Sequence, residues 1–73
     1  MQKKWENLTV EWLWDSGAIR CDLPSGEIIK RSGSYEEVVK VLNEFGEQGW
    51  EVAACVSNAN WLFWTLKREI FAR

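Results

Sequence analysis

Only one segment of this chain repeats its apolar residues with the period of an α-helix, and the regions on both sides of it repeat them with a period of two. In the helical segment, intervals of three, four and three residues form one apolar stripe: Tyr35, Val38, Leu42 and Phe45, with Val39 and Val41 beside them. Ser34 precedes the stripe and Glu37 follows three residues later, which predicts a capping box at the helix start. Because one helix covers only one face of a sheet, the opposite face needs a different cover.

Three strands are predicted before the helix. Residues 5–14 alternate between apolar and polar side chains, which is typical of a strand with one buried face. Turn-forming residues at 15–17 and 23–26 predict that residues 18–23 and 27–31 return as antiparallel neighbours. The two basic residues of the last of these strands indicate a sheet edge. The side chains expected to face the core are Leu8, Val10, Trp12, Trp14, Ile19, Cys21 and Leu23.

Two more strands are predicted after the helix. Gly49 is expected to end the helix in a left-handed conformation, with Gly46 in the last turn. In the strand that follows, alternation places on one face Trp50, Val52, Ala54 and Val56, and on the other Glu51, Ala53 and Cys55. Residues 57–60 have the composition of a hairpin connection. The last strand, residues 61 to about 68, has apolar residues on both faces, as expected for a strand covered on two sides.

These segments predict a single α+β domain over residues 1–73, an antiparallel sheet of four to five strands with one helix packed across one face, in the order β-β-β-α-β-β. A chain of this size buries only about 60% of its unfolded surface, so support from oligomerisation is expected. A homodimer through the helix-free face is the default expectation. The residues expected at this interface, or at a protein partner, are Trp5, Ala53, Cys55, Trp61, Phe63, Thr65 and Lys67.

The residue inventory argues against catalysis. The chain has no histidine and two cysteines, Cys21 and Cys55. Without histidine the common Cys/His metal sets and His-activated nucleophiles cannot be assembled, so we expect no metal, no cofactor and no enzymatic activity. There is no apolar signal segment and no stretch approaches the ~20 apolar residues of a membrane span. A cytoplasmic protein with two buried free thiols is therefore expected.

Two other kinds of binding remain open. Aromatic side chains on an open sheet face stack nucleic acid bases at about 1–3 kcal/mol each, and Trp61 and Phe63 are suited to that role in a single-stranded nucleic acid binder. The net charge of −2 and the shortness of the basic clusters make nucleic acid the less favoured partner. The other alternative is a small-ligand pocket lined by tryptophans: Trp12, Trp14, Trp61 and Trp64.

Three motifs resemble those of a known family. They are KWE at residues 4–6, LNEFGEQGWEV at 42–52 and LFWTLKR at 62–68. The chain is similar in these segments to the small bacterial and phage proteins grouped as domain of unknown function 4177. It departs from the family pattern at Asn7, where an aromatic residue is usual, and residues 15–31 have no clear counterpart. The resemblance implies an antiparallel sheet with one helix across it, and it implies no catalytic residues.

Overall fold

The computed structural model describes residues 4–70, which form five strands and one helix. In chain order the elements are β1 (Lys4–Leu13), β2 (Ala18–Asp22), β3 (Ile28–Ser32), α1 (Tyr35–Glu47), β4 (Glu51–Asn58) and β5 (Trp61–Ile70). The strands pair antiparallel in one sheet of order β3-β2-β1-β5-β4. The predicted α+β class and element order are thus confirmed. Between residues 4 and 70, no helix is both long and apolar enough to span a membrane.

The core lies between α1 and one face of the sheet. Alternate residues of β1, β2 and β5 form the sheet side of this core: Leu8, Val10, Ile19, Cys21, Trp64 and Leu66. Trp12 and Leu23 pack partly buried at its border, as the alternation predicts. Trp14 is also expected in the core, but it is 47% exposed. The reason is that β1 ends at Leu13, so Trp14 belongs to the following turn and no longer obeys the alternation.

Fewer residues of α1 are buried than the apolar stripe of its sequence predicts. Val38, Val41 and Phe45 are buried against the sheet. Tyr35 and Val39, which also belong to the predicted stripe, are 51% and 40% exposed. Tyr35 lies in the first turn, where its ring meets the Trp12 ring edge-on with 5.6 Å between centroids. It therefore seals the border of the core without entering it.

The predicted capping box at the start of α1 does not form. Ser34 is the N-cap residue, but its hydroxyl makes no capping hydrogen bond. The carbonyl of Ser34 instead accepts the backbone N–H of Glu37 at 3.0 Å. The Glu37 side chain lies against Gly33, so closely that a Cβ on Gly33 would be 2.6 Å from the Cβ of Glu37. Packing on Gly33 takes the place of the predicted contact with Ser34.

The end of α1 matches the prediction and is a Schellman motif. Gly49 has a φ of +92° and its N–H donates to the carbonyl of Gly46 at 3.0 Å. The N–H of Trp50 donates to the carbonyl of Phe45 at 3.1 Å. These two bonds satisfy carbonyls that the helix leaves without partners. Phe45 and Trp50 are both buried, which supplies the apolar contact that accompanies the motif.

A β-bulge in β4 changes the predicted faces of that strand. Val52 pairs with Leu66 and Ala54 with Thr65, so Ala53 is the extra residue of the bulge. Beyond it Cys55 pairs with Trp64. Directly opposed residues share a face, and Trp64 is buried under the helix side of the sheet. The prediction that Cys55 lies on the helix-free face is therefore wrong.

Candidate functional site

The helix-free face of the sheet carries most of the predicted site residues. Along β1 and β5 the pairs on this face are Trp5 with Glu69, Asn7 with Lys67, Thr9 with Thr65, Glu11 with Phe63, and Leu13 with Trp61. Five of the seven predicted residues thus share one face: Trp5, Trp61, Phe63, Thr65 and Lys67. Cys55 lies on the other face, and Ala53 is the unpaired residue of the bulge. The bulge removes these two because it shifts the alternation of β4 by one residue.

Four apolar side chains adjoin one another on this face, and we call them the aromatic patch: Leu13, Val56, Trp61 and Phe63. Trp61 lies opposite Leu13 on β1, and Phe63 lies opposite Val56 on β4. The rings of Trp61 and Phe63 meet edge to face, with centroids 6.2 Å apart and planes at 79°. Val56 is 55% exposed and the other three are half-buried. The patch is therefore an ordered apolar surface open to solvent.

Polar residues border the aromatic patch on the β2 side. Glu11 pairs with Phe63 on one side and with Arg20 on the other. Arg20 Nε donates to Asp22 Oδ1 at 3.2 Å, and Lys30 of β3 pairs with Arg20. At the end of the sheet that carries the aromatic patch, the helix-free face thus has a charged half on β2 and β3 and an apolar half on β1, β5 and β4. An apolar patch rimmed by polar residues is typical of an interaction surface.

Trp5 and Lys67 form a separate cluster at the far end of the same face. The Lys67 ammonium lies 4.7 Å from the centre of the Trp5 ring and 3.7 Å from a carboxylate oxygen of Glu51. The opposed threonines Thr9 and Thr65 lie between this cluster and the aromatic patch. The structure therefore separates the predicted site into an apolar patch and a charged end.

Next to that end, on the helix side, Arg68 connects β1, β5 and the exit of α1. Its Nε donates to Glu6 at 2.9 Å and its Nη1 donates to the carbonyl of Gln48 at 2.9 Å. The guanidinium also stacks 4.4 Å from the centre of the Trp50 ring. A positive group at the carboxyl end of a helix also complements the helix dipole. These contacts of Arg68 thus fix the carboxyl end of α1 against the sheet.

A cavity of about 490 Å³ opens at the same corner. Most of the residues that line it have polar or charged side chains, although their apolar atoms form most of its surface: Trp5, Gln48, Gly49, Glu51, Lys67, Arg68 and Glu69. The two basic side chains are already paired, Lys67 with Glu51 and Arg68 with Glu6. The cavity includes Gly49, for which the sequence predicts only a corner. None of the four tryptophans of the predicted ligand pocket lines it.

Those four tryptophans do not come together. On the helix side, Trp12 and Trp64 each contact Tyr35, and Trp14 contacts Trp12, with ring centroids 5.6–6.5 Å apart. Trp61 is on the opposite face. The indole N–H of Trp12 donates to the carbonyl of Gly33 at 3.1 Å, so it is already used within the fold. These three tryptophans cover one end of the core.

The two thiols are free but differ in environment. Cys21 is fully buried and burial raises its pKa to about 11, while Arg31 has a smaller opposing effect. A protonated, inaccessible thiol is a poor nucleophile. Cys55 is exposed, which contradicts the prediction that both thiols are buried. The cause is that α1 does not extend over β4, whose eight residues are all exposed.

Sequence reasoning does not find Val56 and Leu13 as members of the aromatic patch. If the side chains of β4 alternated regularly from Trp50, without a bulge, Val56 would lie on the helix side of the sheet and not in the aromatic patch. Leu13 is two residues after Glu11 and so continues the alternate positions that Asn7, Thr9 and Glu11 occupy in β1. Those three residues are polar and Leu13 is apolar. That exception to the alternation is the signal by which Leu13 could be found.

No family model matches the chain, and no curated protein or solved structure shows significant similarity to it. The resemblance of the three motifs to the family named above stays a prediction.

Proposed function

We propose that this protein acts by binding and not by catalysis, and that it self-associates through the aromatic patch as a homodimer. The observation that carries the proposal is the ordered, uncharged group of Leu13, Val56, Trp61 and Phe63 on the face that the helix does not cover. A two-fold contact is the commonest way for a small domain to cover such a face.

A second copy suits the patch because its rim is self-complementary in charge. Glu11 and Arg20 lie side by side at the border of the patch. When a second copy packs face to face across a two-fold axis, Glu11 of one copy can approach Arg20 of the other. Opposite charges across the rim favour the correct orientation, and the apolar centre supplies the affinity.

The expected affinity is moderate. Completing the burial of four half-exposed side chains from each copy contributes about 8–12 kcal/mol, at about 1–1.5 kcal/mol each. Association costs about 4–15 kcal/mol in lost freedom of motion. The gain exceeds the cost by at most about 8 kcal/mol, which corresponds to a dissociation constant of about 1 µM, so the dimer should form at micromolar concentrations or above.

Phe63→Lys tests the proposal. A lysine at this position faces Glu11 on β1, so the substitution gives the monomer a favourable cross-strand pair while placing a charge at the centre of the patch. The molar mass by light scattering should fall relative to the unmodified protein. Val39→Lys is the matched control, because Val39 is an exposed apolar residue on the helix and its replacement should leave the mass unchanged. Equal masses for all three proteins would overturn the proposal.

Nucleic acid binding is the function that would replace the proposed self-association if the tests contradicted it. The edge-to-face packing of Trp61 and Phe63 leaves the two rings unable to stack successive bases in parallel, and the net charge is −2. We expect no retention on single-stranded DNA or RNA. Retention that weakens with salt and is lost in Phe63→Lys would favour a base-stacking function instead.

We further infer a cytoplasmic location. The support is the pair of free thiols, Cys21 and Cys55, a state that the reducing conditions of the cytosol maintain.

A further inference from the structure

β4 is an exposed edge of the sheet, and it is regular after the bulge at Ala53. It forms one end of the strand order, and all eight of its residues are exposed. Within residues 4–70 no strand pairs with its outer side. Its backbone N–H and C=O groups on that side are therefore available to another strand.

From Val52 onward β4 lacks the charged residues and prolines that protect many edge strands, and the bulge at Ala53 is its one protective feature. Val52 and Val56 are 51% and 55% exposed. The opposite edge, β3, carries Lys30 and Arg31, and Arg31 bonds Glu44 of the helix at 3.0 Å. Charged side chains on an edge discourage pairing with other strands. The two edges of one sheet thus differ in the property that controls edge pairing.

We propose that β4 pairs antiparallel with β4 of a second copy, across a two-fold axis at Cys55, to form a continuous ten-stranded sheet. This contact uses the edge of the sheet and is independent of the face-to-face contact proposed above. A two-fold axis requires one residue to lie opposite itself, and Cys55 is the midpoint of β4 once the bulge residue Ala53 is set aside. Centring the axis there pairs the whole strand, with Ala54 opposite Val56, Val52 opposite Ser57 and Glu51 opposite Asn58, and each opposed pair lies on one face.

The charges of β4 fit this register. Glu51 is the one charged residue of the strand, and in the paired strands it lies opposite Asn58, so the two copies of Glu51 are six paired positions apart once Ala53 is set aside. At about 3.4 Å per position their separation is about 20 Å, well beyond the screening length of about 8 Å at physiological salt. A second copy therefore meets no like charge along the whole contact. A foreign strand with charged residues would find no partner for them.

The register also extends the aromatic patch. Ala54 and Val56 lie on the helix-free face, and each would oppose the other residue of the second copy. Val56 adjoins Phe63, so the two aromatic patches become continuous across the axis. When the face and edge contacts form together, the full assembly is a tetramer provided that their two-fold axes intersect at right angles.

Charge substitution at Cys55 tests the edge contact. Cys55→Lys and Cys55→Glu each place like charges directly opposite one another across the axis, while in the monomer the exposed side chain meets no charged neighbour on β5. Each variant alone should weaken edge association about tenfold or more and lower the molar mass. An equimolar mixture of the two should recover the mass of the unmodified protein, because opposite charges then meet. Unchanged mass in both variants, or no recovery in the mixture, would overturn the proposal.

Thiol cross-linking gives an independent readout of the register. Diamide accepts two electrons and two protons from two thiols and leaves one disulfide bond. Directly opposed residues of antiparallel strands have Cα atoms about 4.5–5.5 Å apart, within the range of a disulfide. The native protein should therefore cross-link into covalent dimers through Cys55. Cys55→Ser should abolish the product, since Cys21 is buried. Absence of covalent dimers from the unmodified protein would contradict the axis position.

The face contact and the edge contact can be refuted separately, because each has its own variant. If Phe63→Lys lowers the mass and Cys55→Lys does not, the face contact stands and the edge contact is refuted. If Cys55→Lys lowers the mass and Phe63→Lys does not, the reverse holds. The double variant should be a monomer when both are correct.

Discussion

At the scale of single residues, the two cysteines show how position in the sheet determines chemistry. Cys21 and Cys55 occupy the same face, but Cys21 lies on β2 beneath α1 and Cys55 lies on β4 beyond its reach. The buried thiol is held in its neutral form and the exposed one is available to reagents and to a second copy. Their environments differ because the helix covers only the central part of one face.

The raised pKa of Cys21 predicts a loss of stability in alkali. Its folded-state pKa of about 11 exceeds the ordinary value of 9.0, so the neutral thiol favours the folded state and the thiolate favours the unfolded state. The contribution is fully present below pH 9 and is lost as the pH rises toward 11. Between neutral pH and about pH 10.5 the free energy of unfolding should fall by up to about 2 kcal/mol from this group.

Urea unfolding of the unmodified protein and of Cys21→Ala, at several pH values, measures this effect. The other groups that titrate in alkali are common to both proteins, so the difference between the two curves isolates Cys21. The advantage of the unmodified protein should shrink above pH 9. A difference that is constant with pH would show that burial does not hold this thiol neutral.

At the scale of elements, the sequence predicts the exit of α1 correctly but not the path of β4. Gly49 marks a left-handed position because glycine alone adopts it without strain, and the buried Trp50 follows at once. The bulge at Ala53 leaves no such signal. Alanines at 53 and 54 fit either face of a sheet, so strict alternation is the simplest expectation. That expectation puts Cys55 and Val56 on the wrong faces.

The two glycines at the end of α1 should respond oppositely to alanine. A methyl group added at Gly46 would meet nothing within 4 Å, whereas Gly49 has a φ of +92°. Gly46→Ala should raise the free energy of unfolding by about 0.5–1 kcal/mol, because alanine restricts the unfolded chain and favours helix. Gly49→Ala should lower it by about 1–2 kcal/mol through backbone strain. Chemical denaturation of both variants checks the signs, and equal effects would refute the assigned helix end.

At the scale of the whole molecule, the sequence predicts a sheet with one uncovered face but not which part of that face is apolar. Alternation along β1 and β5 is enough to place Trp61 and Phe63 together and to leave the second face without a helix. The division of the face into charged and apolar halves depends on the strand order β3-β2-β1-β5-β4. The exposed edge β4 depends on where the helix lies over the sheet. Both arise from contacts between distant segments, which local patterns do not encode.

We propose that the functional unit is an assembly of at least two copies of this chain. Sedimentation equilibrium of the unmodified protein, from about 1 to 100 µM at neutral pH, tests it most directly, since the range spans the micromolar affinity expected above. The mass should rise with concentration from the 8.5 kDa of one chain to at least twice that value. A mass that stays at 8.5 kDa throughout, with the fold intact, would contradict this proposal.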